Sequence, residues 1–161
     1  MKRVIFIGQA MPRHKLHPHH WPSLNKWLYS IGLTDTQIAN NFLYTALLDY
    51  FPGARNGSHL VPTSAEIQKE RSRLTKTIRD FHPETVVTIG KLSLAYCLRK
   101  RVVNLRDFIG KTFAVDPYGL VGSDLLVIPL PHPSGASTWS HKPGNKRLLK
   151  KALDLLKSNL V

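Results

Sequence analysis

The chain is poor in cysteine and in acidic residues. Its single cysteine, Cys97, can form no internal disulfide and cannot supply the ligands of a cysteine-bound iron–sulfur cluster. No apolar run reaches the length of a membrane-spanning helix, and the apolar stretch at the amino terminus has only the length of a strand, which does not fit a signal peptide. Internal repeats and low-complexity tracts are also absent. We therefore expect a soluble, cytoplasmic protein.

The shortage of acidic residues leaves the chain strongly basic. Lysine and arginine total 23 against 10 aspartate plus glutamate, which gives a formal net charge of +13 and an isoelectric point near 10.2. This excess goes beyond what solubility requires and indicates a polyanionic partner, with nucleic acid as the default. Because the same charge opposes close self-association, we expect a monomer.

The basic residues are concentrated in Lys69–Arg79, around Arg99–Arg101 and in Lys142–Lys151. A basic run is usually the solvated face of a helix, and this is the preferred interpretation of the first cluster. The last cluster follows a histidine loop described below, so Lys142 and Lys146 are candidates for contacts with nucleic-acid phosphates.

Helical periodicity is clearest in the middle and at the end of the chain. A helix is predicted from about residue 64 to 81, because Thr63 and Glu66 have capping-box spacing and His82-Pro83 stops the pattern. Residues 91–101 are predicted to form a second helix. The closing segment carries an apolar stripe typical of a packed helix, made of Leu148, Leu149, Ala152, Leu155 and Leu156.

Short apolar runs predict strands between these helices. They comprise the run that enters Gly8, the segments 42–48 and 86–89, and the segment 125–130. Four strands that alternate with helices in 161 residues fit one α/β domain over residues 1–161. The expected architecture is a three-layer sandwich, with a four-stranded parallel sheet flanked by helices.

His132 stands where the last apolar strand ends, between Pro131 and Pro133. The two prolines restrict the backbone around it, so the imidazole is held in an extended segment with few alternatives. One interpretation is a histidine that satisfies a carbonyl at a strand end, and the other is a preorganised side chain of an active site.

A glycine loop follows the first strand, with Gly8, Gln9 and Ala10 before Pro12. Ligands of open parallel sheets bind outside the carboxyl ends of the strands, so this loop and the His132 loop are expected to converge. Gly8 would let a substrate approach the backbone closely, and the amides of Gln9 and Ala10 could donate to an oxyanion. Taken alone, Gly8 is better interpreted as a simple turn residue, because many α/β domains begin with a strand followed by glycine.

The pair of motifs, Gly8-Gln-Ala-Met-Pro12 and Pro131-His-Pro-Ser-Gly-Ala-Ser137, resembles the uracil-DNA glycosylase superfamily. The resemblance covers most of the chain and extends to the second strand, its Pro-Gly exit, the opening of the long helix and the third strand with its Gly-Lys turn. These parts are Phe42–Leu48, Tyr50–Gly53, Pro62–Ile67 and Val86–Lys91.

The resemblance implies a DNA glycosylase that flips out uracil or another deaminated base and hydrolyses its glycosidic bond. It assigns His132 and Gln9 to catalysis, with His132 in contact with the uracil O2. The base-binding candidates are Gly8, Ala10, Thr45, Asn41 and Trp21. The DNA-binding candidates are Arg13, His14, Ser134, Gly135, Ser137, Lys142 and Lys146. It implies single-stranded or mismatched DNA as partner, with no metal and no organic cofactor.

The departures from the family pattern concern specific chemistry. No carboxylate stands in the first motif to activate water, and Gln9 can position water without accepting its proton well. Thr45 occupies the place of the uracil-reading asparagine, while Asn40 and Asn41 lie just upstream. The thermophile-type branch, closest in layout, holds an iron–sulfur cluster with four cysteines that this chain lacks. Small residues after His132 suggest a modest ability to push bases out of intact duplex.

Two further segments have open interpretations. Trp21 could stack on a flipped base near the first motif, although packing is the commoner role of such a tryptophan. The segment 14–20 contains four histidines, but Pro18 interrupts it and the spacing is irregular, so surface or phosphate-facing histidines are a better interpretation than zinc ligands.

Three functions remain open from the sequence. The first is the glycosylase. The second is a binding module that keeps the fold, the basic surface and the pocket without turnover, which the missing carboxylate supports. The third is a hydrolase of nucleosides, nucleotides or RNA in which His132 acts as general base.

Overall fold

A five-stranded sheet runs through the centre of the molecule. The computed structural model describes residues 1–12, 19–133 and 139–161, with residues 58 and 59 described by their backbone alone. The strands are β1 (Val4–Ala10), β2 (Phe42–Leu48), β3 (Ala54–Arg55), β4 (Ser58–His59), β5 (Thr85–Ile89), β6 (Phe113–Val115) and β7 (Leu125–Leu130). The α-helices are α1 (Pro22–Ser30), α2 (Asp35–Asn41), α3 (Ser64–Phe81), α4 (Lys91–Leu98) and α5 (Pro143–Ser158).

The sheet has the order β2-β1-β5-β7-β6, and β3 and β4 form a separate hairpin. The four strands expected from the sequence are β1, β2, β5 and β7, and all of them pair in parallel. The prediction of four strands is wrong by one, because β6 adds an antiparallel edge strand beside β7. With only three residues, β6 is too short to leave a periodic signal in the sequence.

Helices cover both faces of the sheet, which confirms the predicted three-layer α/β architecture. One core joins Phe6 and Val87 of the sheet to Leu24 and Leu28 of α1 and to Leu156 of α5. The other core joins the opposite face to α3 and α4, through Ile5, Val86, Leu74, Ile78 and Cys97. In the part of the chain that the structure describes, none of the helices is long and apolar enough to cross a lipid bilayer.

The long helix begins and ends as its sequence predicts. The side chain of Thr63 accepts from the backbone of Glu66, whose side chain accepts in return, and the chain leaves α3 at His82 with a φ of 52°. The helix predicted over 91–101 ends earlier, at Leu98, because Arg99 adopts a left-handed conformation with a φ of 54°. No glycine marks this stop, so the pattern of residue types could not show it.

The closing helix is also present, with a shifted stripe. Ala152, Leu153 and Leu156 of α5 are buried, whereas Leu155 is only partly buried. Leu153 therefore takes the core position that the sequence pattern predicts for Leu155.

Candidate active site

The topology brings the ends of three parallel strands to one edge of the sheet. The pairing of β1 with β2 continues to Ala10 and Leu48, whereas its pairing with β5 ends at Ile7 and Thr88. The last residues of β1 therefore extend past the end of the β5 ladder, toward the segment that leaves β7 at Leu130. This arrangement opens a space between the first and last motifs of the chain.

A cavity of about 180 Å³ lies in this space. Its described lining consists of Gly8, Gln9, Ala10, Met11, Pro12, His20, Trp21, Tyr44, Thr45, Phe51, Pro52, Leu60 and His132. The volume lies below the range of roughly 300–1,000 Å³ that is typical of sites for drug-sized ligands. The walls are mostly apolar, so the cavity suits one small group whose polar atoms meet the few polar residues.

Trp21 forms one wall of the pocket. Its ring lies edge-on to Tyr44, with centroids 6.0 Å apart, and edge-on to His132, with centroids 5.8 Å apart. A Cβ atom added to Gly8 would lie 3.4 Å from the Trp21 ring, which is an ordinary van der Waals distance. Gly8 thus lies directly beside the tryptophan ring.

Tyr44 is a pocket residue that the sequence reading missed. It is buried beneath Trp21, and its hydroxyl donates to Oδ1 of the buried Asn25 on α1. Burial raises the pKa of Tyr44 far above the ordinary tyrosine value, so the hydroxyl keeps its proton. The ring therefore faces the pocket as a neutral aromatic surface. No direct signal in the sequence points to Tyr44, because the residue of β2 predicted for the site is its neighbour Thr45.

Thr45 borders the pocket, but its side chain is held from the other face of the sheet. Its Oγ1 accepts from Nη1 of Arg73 at 3.0 Å, and only 7% of the residue is exposed. The same guanidinium donates through Nη2 to the carbonyl oxygen of Ala46 at 2.6 Å and to that of Leu47 at 3.2 Å. Thr45 is thus part of an anchor between α3 and β2.

Asn41 does not reach the pocket, which corrects its assignment as a base-binding residue. It is the last residue of α2, and its side-chain amide donates to the carbonyl oxygen of Gln37 at 2.9 Å. β2 begins only at Phe42 and runs from there toward the pocket, so Asn41 lies at the opposite edge of the sheet.

His132 and Gln9, one from each of the two motifs, both line the pocket. The imidazole is exposed at the rim, while Pro131 and Pro133 on either side of it are buried. Gln9 is partly buried at the end of β1. Among the described lining residues, the side chains with nitrogen or oxygen atoms are those of Gln9, His20, Trp21, Tyr44, Thr45 and His132, and none is a carboxylate. His20, from the histidine-rich segment, was not assigned to the site from the sequence.

The outer rim is described only in part. The predicted DNA-binding residues Arg13, His14, Ser134, Gly135 and Ser137 lie outside the described residues. Lys142 and Lys146 are exposed at the start of α5. Nδ2 of Asn145 donates to the carbonyl oxygen of Trp139 at 2.9 Å, which ties the start of this helix to the preceding turn.

The basic residues of α3 divide into two kinds. Lys69 and Lys76 are exposed, as expected for a solvated face. Three arginines instead donate to backbone carbonyls of other segments, since Arg73 reaches β2, Arg71 reaches Tyr118 and Arg79 reaches Leu120. Much of the positive charge on α3 therefore holds neighbouring backbone in place.

Fold and pocket together define a three-layer α/β domain with a small, largely apolar site at the carboxyl edge of its parallel strands. The family model described as the uracil DNA glycosylase superfamily matches residues 1–157. The chain belongs to this superfamily, which confirms the resemblance seen in the sequence. Members are typically hydrolytic glycosylases that act on DNA. No curated protein matches the chain.

Proposed function

We propose that the protein hydrolyses the N-glycosidic bond of uracil, or of another deaminated base, in DNA. The observation that carries the proposal is the cavity of about 180 Å³ that has Gly8, Gln9 and Ala10 on one side and His132 on the other. It lies in a member of the uracil DNA glycosylase superfamily with a net charge of +13.

The chemistry requires stabilisation of a leaving base that carries negative charge. His132 donates a hydrogen bond to the base oxygen, and the backbone amides of Gln9 and Ala10 add further donors. One preorganised donor of this kind typically lowers the barrier by about 3 kcal/mol. The apolar walls strengthen these interactions because they keep water away from the developing charge.

The base must leave the DNA stack to enter the pocket. Extrusion costs a few kcal/mol and is cheapest for a mismatched or single-stranded base. The edge of Trp21 and the ring of Tyr44 receive the base, while exposed Lys142 and Lys146 contact the DNA phosphates. Arg13, His14, Ser134, Gly135 and Ser137 are proposed to add contacts to the same strand.

The attacking water is oriented by Gln9 in this proposal. Because no carboxylate is present among the described lining residues, the water gains little nucleophilicity from a base. The reaction must therefore be strongly dissociative, with the sugar cation largely formed before water adds. DNA phosphates near the site help to stabilise that cation.

The same absence favours a second candidate function. A protein with this pocket and charge but no efficient water activation would bind deaminated or single-stranded DNA without turnover. In that case the pocket would recognise the base and leave the glycosidic bond intact.

One assay separates the two functions. Single-stranded and duplex oligonucleotides with uracil, hypoxanthine or xanthine are incubated with the protein, treated with alkali and examined for strand cleavage at the modified base. Cleavage that His132→Ala abolishes supports the glycosylase. Tight, salt-sensitive binding without cleavage supports the binding protein. Activity confined to free nucleosides or RNA contradicts both.

A matched histidine provides the control. His82 is exposed at the end of α3, away from the pocket lining, and has a φ of 52°. Asparagine tolerates this left-handed conformation, so His82→Asn removes an imidazole without backbone strain. We expect it to cleave at the wild-type rate.

A further inference from the structure

A buried pair of hydroxyl groups lies directly behind the first motif. Ser93, in the first turn of α4, is fully buried, and its Oγ lies 2.7 Å from the carbonyl oxygen of Ile7. A second contact of 2.7 Å joins the same Oγ to the hydroxyl of Tyr118. Neither residue is among the described residues that line the pocket. The pair therefore acts on the backbone of β1 and not on a ligand.

The position of this contact along β1 is informative. Ile7 is the last residue of β1 that pairs with β5, and the next three residues, Gly8, Gln9 and Ala10, line the pocket. Ser93 thus holds β1 at the point where its pairing with β5 ends. A strand end that is paired on one side only, here with β2, would otherwise move more than the part paired on both sides.

The direction of the two hydrogen bonds follows from the number of protons. A serine hydroxyl has one proton, and the Ile7 carbonyl can only accept, so Ser93 donates to Ile7. Tyr118 must then donate to Ser93. Burial raises the pKa of Tyr118 well above the ordinary tyrosine value, so this donor keeps its proton across the working range of pH.

Tyr118 is itself fixed in an uncommon conformation. Its φ of 58° lies in the left-handed region that favours glycine. The carboxylate of Asp116 accepts from the backbone amides of Val121 at 2.9 Å and Gly122 at 3.1 Å, and Arg71 donates to the Tyr118 carbonyl at 3.3 Å. A strained residue persists where its surroundings over-determine it, and such residues cluster near functional sites.

We propose that Ser93, oriented by Tyr118, is a positioning residue that fixes the Ile7–Gly8 peptide and thereby aims the amides of Gln9 and Ala10 into the pocket. The inference rests on the proposed function, because these amides act as donors to a leaving base only in a glycosylase. A misplacement of about 1 Å in such a constellation can cost roughly a hundredfold in rate.

The test compares Ser93→Ala and Tyr118→Phe with Thr77→Val. Thr77 is a matched control because its hydroxyl also donates to a backbone carbonyl, that of Arg73 at 3.0 Å, within α3. The first readout is amide hydrogen exchange at residues 8–10, which requires no activity. The second is the single-turnover rate on single-stranded uracil DNA, with the Kd for an abasic-site analogue measured in parallel.

We expect Ser93→Ala to accelerate exchange at residues 8–10 and to lower the single-turnover rate by about ten- to a hundredfold, with an unchanged Kd. Tyr118→Phe should show the same pattern to a smaller degree, and Thr77→Val should match the wild type in both readouts. Wild-type exchange in Ser93→Ala, or a rate equal to that of Thr77→Val, overturns the inference.

Two further outcomes are decisive. If the wild-type protein cleaves none of the substrates, the proposed function fails, and the exchange readout alone then judges the anchor. Faster exchange in Ser93→Ala supports it and unchanged exchange overturns it. If Ser93→Ala does not fold, Tyr118→Phe, which keeps the buried ring, carries both readouts with the same criteria.

Discussion

The two faces of the central sheet contribute to the pocket in different ways. On the face that α1 and α5 cover, Trp21 and Tyr44 supply aromatic surface to the cavity. On the face that α3 and α4 cover, Arg73 and Ser93 donate hydrogen bonds to the backbone of β2 and β1 close to where these strands reach it. One face therefore makes the wall, and the other fixes the strands that carry the site.

Among the substitutions that distinguish the two faces, Trp21→Ala is expected to have the largest effect. Trp21→Ala removes a wall of the pocket, so we expect the cleavage rate of the folded protein to fall about a hundredfold, equivalent to about 2.7 kcal/mol. Trp27 is a matched control, since it lies on α1, the helix that follows Trp21 directly, and also packs partly buried against the core. Trp27→Ala should lower stability and leave the rate of the folded protein near wild type. Equal rate losses in both variants would remove the distinction between wall and packing.

The role of the opposite face is tested by the effect of an Arg73 substitution on the free energy of unfolding. Arg73→Met removes a charged donor from three acceptors on β2, and we expect the free energy of unfolding to fall by about 2 kcal/mol in urea denaturation. Arg79→Met is the control on the same helix, because Arg79 is exposed and makes one longer contact of 3.4 Å. Its effect should stay below about 0.5 kcal/mol. Similar losses in both variants would contradict a specific anchor at β2.

Tyr44 tests whether its hydroxyl serves the pocket or the core. Tyr44→Phe leaves Oδ1 of Asn25 without this donor, so we expect a loss of about 1 kcal/mol in unfolding free energy. The cleavage rate should remain near wild type, because the hydroxyl is directed at Asn25. A tenfold lower rate at unchanged stability would instead place the hydroxyl among the groups that contact substrate.

The ionisation of Cys97 is expected to affect stability only at high pH. Burial raises the pKa of its thiol from 9.0 to about 12. The folded protein therefore retains a proton that the unfolded chain loses, so stability is complete below pH 9 and declines as the pH rises toward 12. Unfolding measured across this range should show a shallower decline in Cys97→Ala than in the wild type. Identical slopes would mean that the buried tyrosines alone account for the decline.

The elements that the sequence predicted are those with a strong local pattern. α3 has a capping box at Thr63 and Glu66 and a regular apolar stripe, and β7 is a short aliphatic run closed by proline. α2 went unrecognised although Thr34 and Gln37 form a capping box of the same kind, because seven residues leave little periodicity. β6 depends on its pairing with β7 and has almost no pattern of its own.

The site was predictable where topology alone places it. The rule that parallel strands present ligands at their carboxyl ends brought Gly8 and His132 to one edge. The same rule argues against Asn41, because it precedes β2 and so lies at the opposite edge. Tyr118 could not be found in this way, since its contact with Ser93 depends on a loop with a positive φ and on a separation of 25 residues.

The hydrogen bonds from Arg73 to β2 also bear on how separate copies of the chain meet. β2 is an outer strand of the sheet and carries the apolar sequence Phe42–Leu48. Such a margin offers open backbone groups to a strand from another molecule and is a common origin of aggregation. Successive carbonyls of a strand point to opposite sides, so one of the two that the guanidinium contacts, those of Ala46 and Leu47, faces the open side of β2, where the guanidinium also places a positive charge. A charged group at such a margin disfavours edge-to-edge pairing.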